Sequence, residues 1–202
     1  MKLKALSLGC LFILIPSILL AETHKRDSWY VGFGIGGGLN KYFYFPDETS
    51  HYDNWLSGTQ QYPKITTNFK IGGTINPYLL FGLDVTTMDQ EGNLSGTYTY
   101  YSARISITNT FAMFTYFPYK EGFFLRAGGG FSILEATRSG FLGEAYMSMG
   151  YGGLAGIGYA FWFGKSFNIS INMDHSRQFY TGNDAGYDRS QFTSIYLGFD
   201  WY

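Results

Sequence analysis

A closed all-β barrel, with eight antiparallel strands in up-and-down order across a membrane, is the fold class that the sequence predicts. Three observations carry that prediction. Apolar and polar residues alternate in run after run, as in Trp29-Tyr30-Val31-Gly32-Phe33-Gly34, or Ile195, Leu197, Phe199 and Trp201 against Ser194, Gly198 and Asp200. Side chains of a strand point to opposite faces in turn, so each run has one apolar and one polar face. Short connections alternate with long ones along the chain. The chain also stops on an aromatic strand, Phe192 to Tyr202, and a closed barrel uses its last strand to pair with its first and abolish the edge.

The elements follow in order. Lys2 and Lys4 precede an apolar run from Leu6 to Leu20, and the chain turns polar at Glu22. Residues 1–21 read as a secretory signal peptide cleaved after Ala21, leaving 22–202 as one barrel domain; the run is short for a retained membrane-spanning anchor. Ser7-Leu8-Gly9-Cys10 stands at the start of the apolar run instead of after it, which argues against lipidation. Cys10 is the only cysteine and leaves with the signal, so the mature chain has no disulfide or thiolate chemistry.

The first strand runs from Ser28 to Phe43, with Trp29, Val31, Phe33 and Ile35 outside and Tyr30, Gly32, Gly34 and Gly36 inside. The second, Lys64 to Ile75, sets Ile65, Phe69 and Ile71 against Thr66, Asn68 and Lys70, and Asn76-Pro77-Tyr78 is a tight turn. The third runs to about Met88, with Phe81, Leu83 and Val85 outside and Gly82, Asp84 and Thr86 inside. The fourth, Thr97 to Phe117, is read with Ala103, Ile105, Ile107, Phe111 and Met113 toward lipid and Ser102, Arg104, Ser106, Thr108 and Thr110 inside; that register leaves Asn109 on the lipid side. After the turn 118–122 come the fifth strand, Phe123 to Leu134, the sixth, Tyr146 to Phe161, a turn at 163–166, the seventh, Phe167 to Arg177, and the closing strand. Pairs 2–3, 4–5 and 6–7 have short turns and the other pairs longer polar connections. Membrane barrels with both termini in the periplasm keep that rhythm, whereas a soluble sandwich has no need of it.

The composition agrees. Aromatics make up 20% of the chain and glycine contributes 27 residues, while mean hydropathy is −0.07, as alternation in a membrane barrel produces. Loss of Lys2 and Lys4 takes the basic count from 14 to 12 against 15 acidic residues, so net charge moves from −1 to −3. Nucleic-acid binding, which needs a basic surface, is excluded.

Lys70, Asp84, Arg104, Arg126, Asp174 and Asp200 fall on the inner face, three of each sign. Lys70 and Asp84 sit opposite each other across the 76–78 turn, and Asp200 points toward Arg126. The set reads either as salt bridges filling a barrel whose interior only just holds side chains, or as the constriction of a narrow pore. Balance between the signs favours the plug.

Asp174-His175-Ser176 invites a hydrolase reading, but in a strand Asp174 and Ser176 share one face and His175 takes the other, so the three cannot form a triad. His24 and His51, with Asp47, Glu48 and Asp53, match no metal-ligand spacing. The glycine runs 36–38 and 128–130 precede no helix and are not phosphate loops. No catalytic residue, cofactor or metal is expected. Trp29, Tyr42, Tyr78, Tyr116, Tyr119, Tyr159, Trp162 and Trp201 read as interfacial girdles. The connection 41–63 is rich in aromatics, which pack on each other over the mouth or contact lipopolysaccharide, a host surface or another protein.

With the signal peptide, the Trp29-to-Gly34 opening, Phe124-Leu125-Arg126-Ala127-Gly128-Gly129-Gly130-Phe131 and the aromatic end, the chain resembles the small outer-membrane β-barrel superfamily of OmpA-like, OmpW-like and opacity-type barrel domains. The resemblance covers the whole mature chain. It implies the outer membrane of a Gram-negative-type bacterium, contact with outer-membrane lipid and lipopolysaccharide, and a monomer. It also implies an assembly signal in Gly198, Trp201 and Tyr202 read by the barrel-assembly machinery, although that signal sets its last aromatic toward lipid and alternation here turns Tyr202 inward. The function implied is a non-enzymatic envelope-structural or surface-interaction role. A narrow channel for small or hydrophobic solutes and a lipid A-modifying enzyme are the alternatives.

Overall fold

The computed structural model describes residues 26, 28–44, 64–95, 100–139, 144–181 and 187–202; the expected signal peptide, His24, and His51 with its acidic neighbours lie outside them. Eight strands, β1 (Trp29–Tyr44), β2 (Lys64–Asn76), β3 (Leu79–Ser95), β4 (Tyr100–Tyr116), β5 (Phe123–Ser139), β6 (Glu144–Trp162), β7 (Phe167–Tyr180) and β8 (Tyr187–Trp201), pair antiparallel with their chain neighbours. β1 also pairs with β8, so the barrel is closed.

Starting at Val31, the pairing passes through Ile71, Leu83, Ala112, Gly129, Gly153, Arg177 and Gln191 and returns to β1 at Lys41. The sheet therefore closes with a stagger of ten residues (41 − 31). Eight strands spaced about 4.8 Å apart with that stagger tilt by about 40° around a backbone cylinder of radius roughly 8 Å. Such an interior is filled by side chains.

Strands β3, β5, β6 and β7 run further than their alternation predicts, whereas β4 falls within the expected Thr97 to Phe117. β3 and β4 stay paired to Ser95 and Tyr100, and β5 and β6 to Arg138 and Glu144. Much of what reads as long polar connection between these strands is strand. Between the described strands the widest interval is that from Tyr44 to Lys64, and Lys41 to Tyr44 of the expected loop 41–63 belong to β1.

The short turns lie at the opposite end of the barrel. One is closed by Asn76 Oδ1 accepting from Tyr78 N–H at 2.9 Å. In the β4–β5 turn Lys120 and Gly122 have φ of 65° and 68°, a left-handed conformation that glycine adopts without strain.

The phase of β4 is the main departure from expectation. Ile105, Ile107, Asn109, Phe111 and Met113 face the interior and are buried, while Arg104, Ser106, Thr108 and Thr110 face outward. The misfit at Asn109 had the whole strand as its cause. Toward the long-loop end β4 has apolar residues inside and polar ones outside, as a strand in water does. Tyr42, Met88, Ile105, Ile107, Leu134, Ala136, Tyr180 and Phe192 form one buried cluster there.

Nearer the short turns the polarity is the reverse: Phe33, Ile35, Phe69, Leu83, Phe114 and Leu197 lie exposed on the outer wall. A second buried cluster, Tyr30, Leu80, Phe117, Phe124 and Ala160 with Tyr202 against it, fills the interior at that end. Phe111, Met113 and Leu154 make a third. On β1 the inner face is largely glycine, and side chains of β8 lie over it: Asp200 across Gly32, Tyr196 across Gly34 and Phe192 across Gly38.

Candidate functional site: a charged layer in the lumen

The barrel interior brings five of the six expected lumen charges together, from β2, β3, β5, β7 and β8. Lys70 on β2 and Asp84 on β3 are backbone partners, as the turn at Pro77 requires, yet their ion pairs lead elsewhere. Lys70 Nζ meets Asp200 Oδ1 at 3.2 Å. The two residues flank Gly32 on either side, and an ideal Cβ on Gly32 would stand 2.1 Å from Asp200 Oδ1. Glycine at this position is what lets the pair reach across β1.

Arg126 on β5 is the hub. It pairs with Asp84 through Nη2 and, at 3.6 Å through Nε, with Asp174 on β7. Its Nη1 donates to the Tyr196 hydroxyl at 2.7 Å, and that hydroxyl donates to Asp174 Oδ2 at 2.8 Å. Asp84 also accepts from Asn68 and, at 3.2 Å, from Thr86 Oγ1. All five charged residues of the layer are buried. Charges removed from water stay compatible with a fold only when paired and hydrogen-bonded in this way. The void beside the layer is about 20 Å³, room for about one water and not for a column of them.

Arg104 is not part of this layer. Its side chain is 56% exposed on the outer wall, with Nη2 3.0 Å from Asp89 Oδ1, because β4 presents the opposite face from the one expected. That leaves two cations against three carboxylates. The sixth charge comes from a residue the sequence reading passed over, Arg26, which precedes β1 and turns under the barrel.

Arg26 is 6% exposed. Its guanidinium stands 3.4 Å from the centre of the Phe117 ring, 5.0 Å from Trp162 and 5.6 Å from Tyr202, and donates to the Lys120 carbonyl. Aromatic faces attract such a cation most strongly where it is desolvated. Burial lowers the Arg26 pKa, and the Tyr202 hydroxyl opposes that shift. Burial and then the Asp200 charge push the Tyr202 pKa up to about 12 against the pull of Arg26. With Arg26 counted, the interior holds Arg26, Lys70 and Arg126 against Asp84, Asp174 and Asp200.

The expected girdle divides. Trp29, Tyr78, Tyr116, Tyr119, Tyr159 and Trp201 are exposed around the short-turn end. Trp162 is only 7% exposed and faces the interior, its ring 5.3 Å from Tyr202: within Phe161-Trp162-Phe163 alternation sends the middle ring inward. Tyr42 also faces inward, its hydroxyl 3.5 Å from Gln90 Oε1. At the closing strand, Gly198 is buried facing in, Trp201 faces out, and Tyr202 turns inward onto Tyr30 and Trp162.

Asp174 and Ser176 are buried inside, while His175 is outside with Nδ1 2.9 Å from Thr193 Oγ1. The wall separates the would-be triad. Among the described residues, no three His, Cys, Asp or Glu side chains gather as a metal site would need.

No family model and no curated protein matches this sequence. Solved structures do match the fold. Neisserial surface protein A (NspA) superposes with a TM-score of 0.55 at 15% identity, over 86% of this chain and 96% of that one. Ail, the attachment invasion locus protein of Yersinia pestis, gives 0.52 at 11% identity, over 88% of this chain and 100% of that one. These neighbours are small outer-membrane barrels. The chain shares their fold, a closed eight-stranded antiparallel β-barrel. The exposed apolar band, the aromatic ring at the short-turn end and the neutral charged interior are the features of that fold in this chain's own residues.

Proposed function

We propose that this barrel spans the outer membrane of a Gram-negative-type bacterium as a non-enzymatic, monomeric protein with a closed lumen, acting at its extracellular end in envelope structure or surface contact. The observation that carries the reading is the layer of Lys70, Asp84, Arg126, Asp174 and Asp200, which crosses the interior and leaves a void of about 20 Å³. With the passage filled by paired charge, the surface left for interaction is the outer wall and the connections above it, the segment 41–63 among them. The barrel folds it is similar to include proteins named for a surface and for attachment, in agreement with that role. Delivery by the barrel-assembly machinery through Gly198, Trp201 and Tyr202, and contact with lipopolysaccharide, belong to the same proposal.

Planar-bilayer recording of the refolded protein tests it: the expected trace is flat. A steady pore that closes or rectifies on Lys70→Met would replace the plug with a channel. Mass analysis of lipid A from cells with and without the protein is expected to give identical acyl patterns; a chain missing only where the protein is present would make it an enzyme.

A further inference from the structure

The short-turn end of the interior is built as a cup of rings. Phe117 and Tyr202 follow β4 and β8, and Trp162 ends β6. The rings hold one another: Trp162 and Tyr202 lie 5.3 Å apart, Tyr202 and Tyr30 5.7 Å, and Phe117 and Phe124 5.2 Å. Such pairs add to the burial that fixes each ring, so the cup takes its shape from the barrel and not from what fills it.

What fills it is a guanidinium from outside the sheet. Arg26 stands three residues ahead of β1 and lies against Phe117, Trp162 and Tyr202. The polar side of the cup suits that charge: the Lys120 carbonyl accepts from it, and Tyr202, Glu121 and Asp200 favour the cation. Lys120 itself has φ of 65°, uncommon for a residue with a Cβ, and its own ammonium stands 5.2 Å from the Tyr78 ring instead. The ammonium on the turn passes the cup by, and a guanidinium takes it. A flat cation can lay its face on a ring while its edge still donates. Above the cup, the void of about 20 Å³ admits a water and no larger group, so a ligand reaches the rings from the turn side.

We propose that this cup is a binding site for alkylguanidinium cations, of which the Arg26 side chain is the tethered occupant. A small alkylguanidinium in solution takes the same place when Arg26 is absent and competes for it when Arg26 is present. The tether gives Arg26 an effective concentration in the millimolar range, so the intramolecular ligand normally wins. The site lies at the opposite end of the barrel from the surface role proposed above, and it holds whether or not the charged layer conducts. Its task is to dock an arginine-bearing segment under the barrel.

The test uses the full mature chain refolded in neutral detergent micelles and titrated with ethylguanidinium, binding being read by saturation-transfer NMR on the methylene protons of the ligand. N-ethylurea, the neutral isostere, is the control. Arg26→Ala is expected to bind ethylguanidinium saturably, and the parent at least about tenfold more weakly. Adding Phe117→Leu to Arg26→Ala should weaken binding about fivefold or more, since the closest ring is then gone. No saturable binding to Arg26→Ala, equal affinity in parent and variant, or equal binding of N-ethylurea overturns the site. Where Arg26→Ala refolds poorly, its yield, followed by near-UV circular dichroism, is expected to rise with ethylguanidinium and not with N-ethylurea. Equal yields in the two overturn the proposal as well.

Discussion

One tube is filled in two ways. Near the short turns, a salt-bridged layer and an aromatic cup occupy an interior whose outer wall is bare apolar surface. Toward the other end, Met88, Ile105, Ile107, Leu134 and Phe192 fill the interior, while Arg104, Ser106 and Thr108 on β4 and Glu135 on β5 face out. The lower half is inside-out relative to a soluble protein and the upper part of β3 to β5 is not. The difference teaches that the surroundings dictate only the outer face of a barrel. The inner face has to be full, and either paired charge or packed hydrocarbon fills it.

Different physics in the two halves should give different responses to mutation. The largest effect is expected at the hub. Arg126→Met leaves Asp84 and Asp174 buried without their cation and should cost about 3–5 kcal/mol in urea unfolding of the refolded barrel. Adding Asp84→Asn and Asp174→Asn to that variant should recover part of the loss, because no unpaired charge is then stranded. Losses that are the same in the single and triple variants would show that the three groups are not coupled.

Ile107→Ala in the upper filling should cost about 2–4 kcal/mol through the cavity it opens, with no rescue from a polar partner. A loss below about 0.5 kcal/mol would return β4 to the opposite phase.

A smaller effect is expected from pH. Tyr202 has its folded pKa raised from 10.0 to about 12, so the folded state holds this proton more tightly than the unfolded chain. Its contribution is complete below pH 10 and is lost as pH rises through about 12. The urea midpoint of the parent should fall over that interval more steeply than that of Tyr202→Phe, and parallel curves would remove Tyr202 from the cup's energetics. Arg104→Gln should be the mildest change, at most about 0.5 kcal/mol, since its pair with Asp89 is exposed.

Most of the fold was legible because a strand writes its two faces into every second residue. The eight strands, the three tight turns and the Lys70–Asp84 register follow from that alternation and from Pro77. The phase of β4 was not. Alternation separates two faces without saying which is inside, and the rule of apolar outward holds only within the lipid. Asn109, stranded among apolar residues, was the available sign, together with Phe114 and Tyr116, which share the parity of Arg104 and lie in the exposed band. The partners of the charges were illegible for another reason. Backbone register names neighbours, but an interior of roughly 8 Å radius lets Arg126 on β5 reach β3 and β7 alike. Arg26 precedes the first strand, where no periodicity points at a cage of rings.

The glycine-lined inner face of β1 carries one more consequence. A strand lined with glycine offers few steric marks against which a partner can be aligned, and such strands set their register weakly. Its outer face gives little help, because a slip of two residues along β8 still puts apolar side chains outward. Asp200, fastened to Lys70 across Gly32, supplies the missing mark: it ties the last strand to the second over the bare first strand at a single offset. The ion pair that crosses the interior is thus also the latch that tells the two ends of the sheet where to meet.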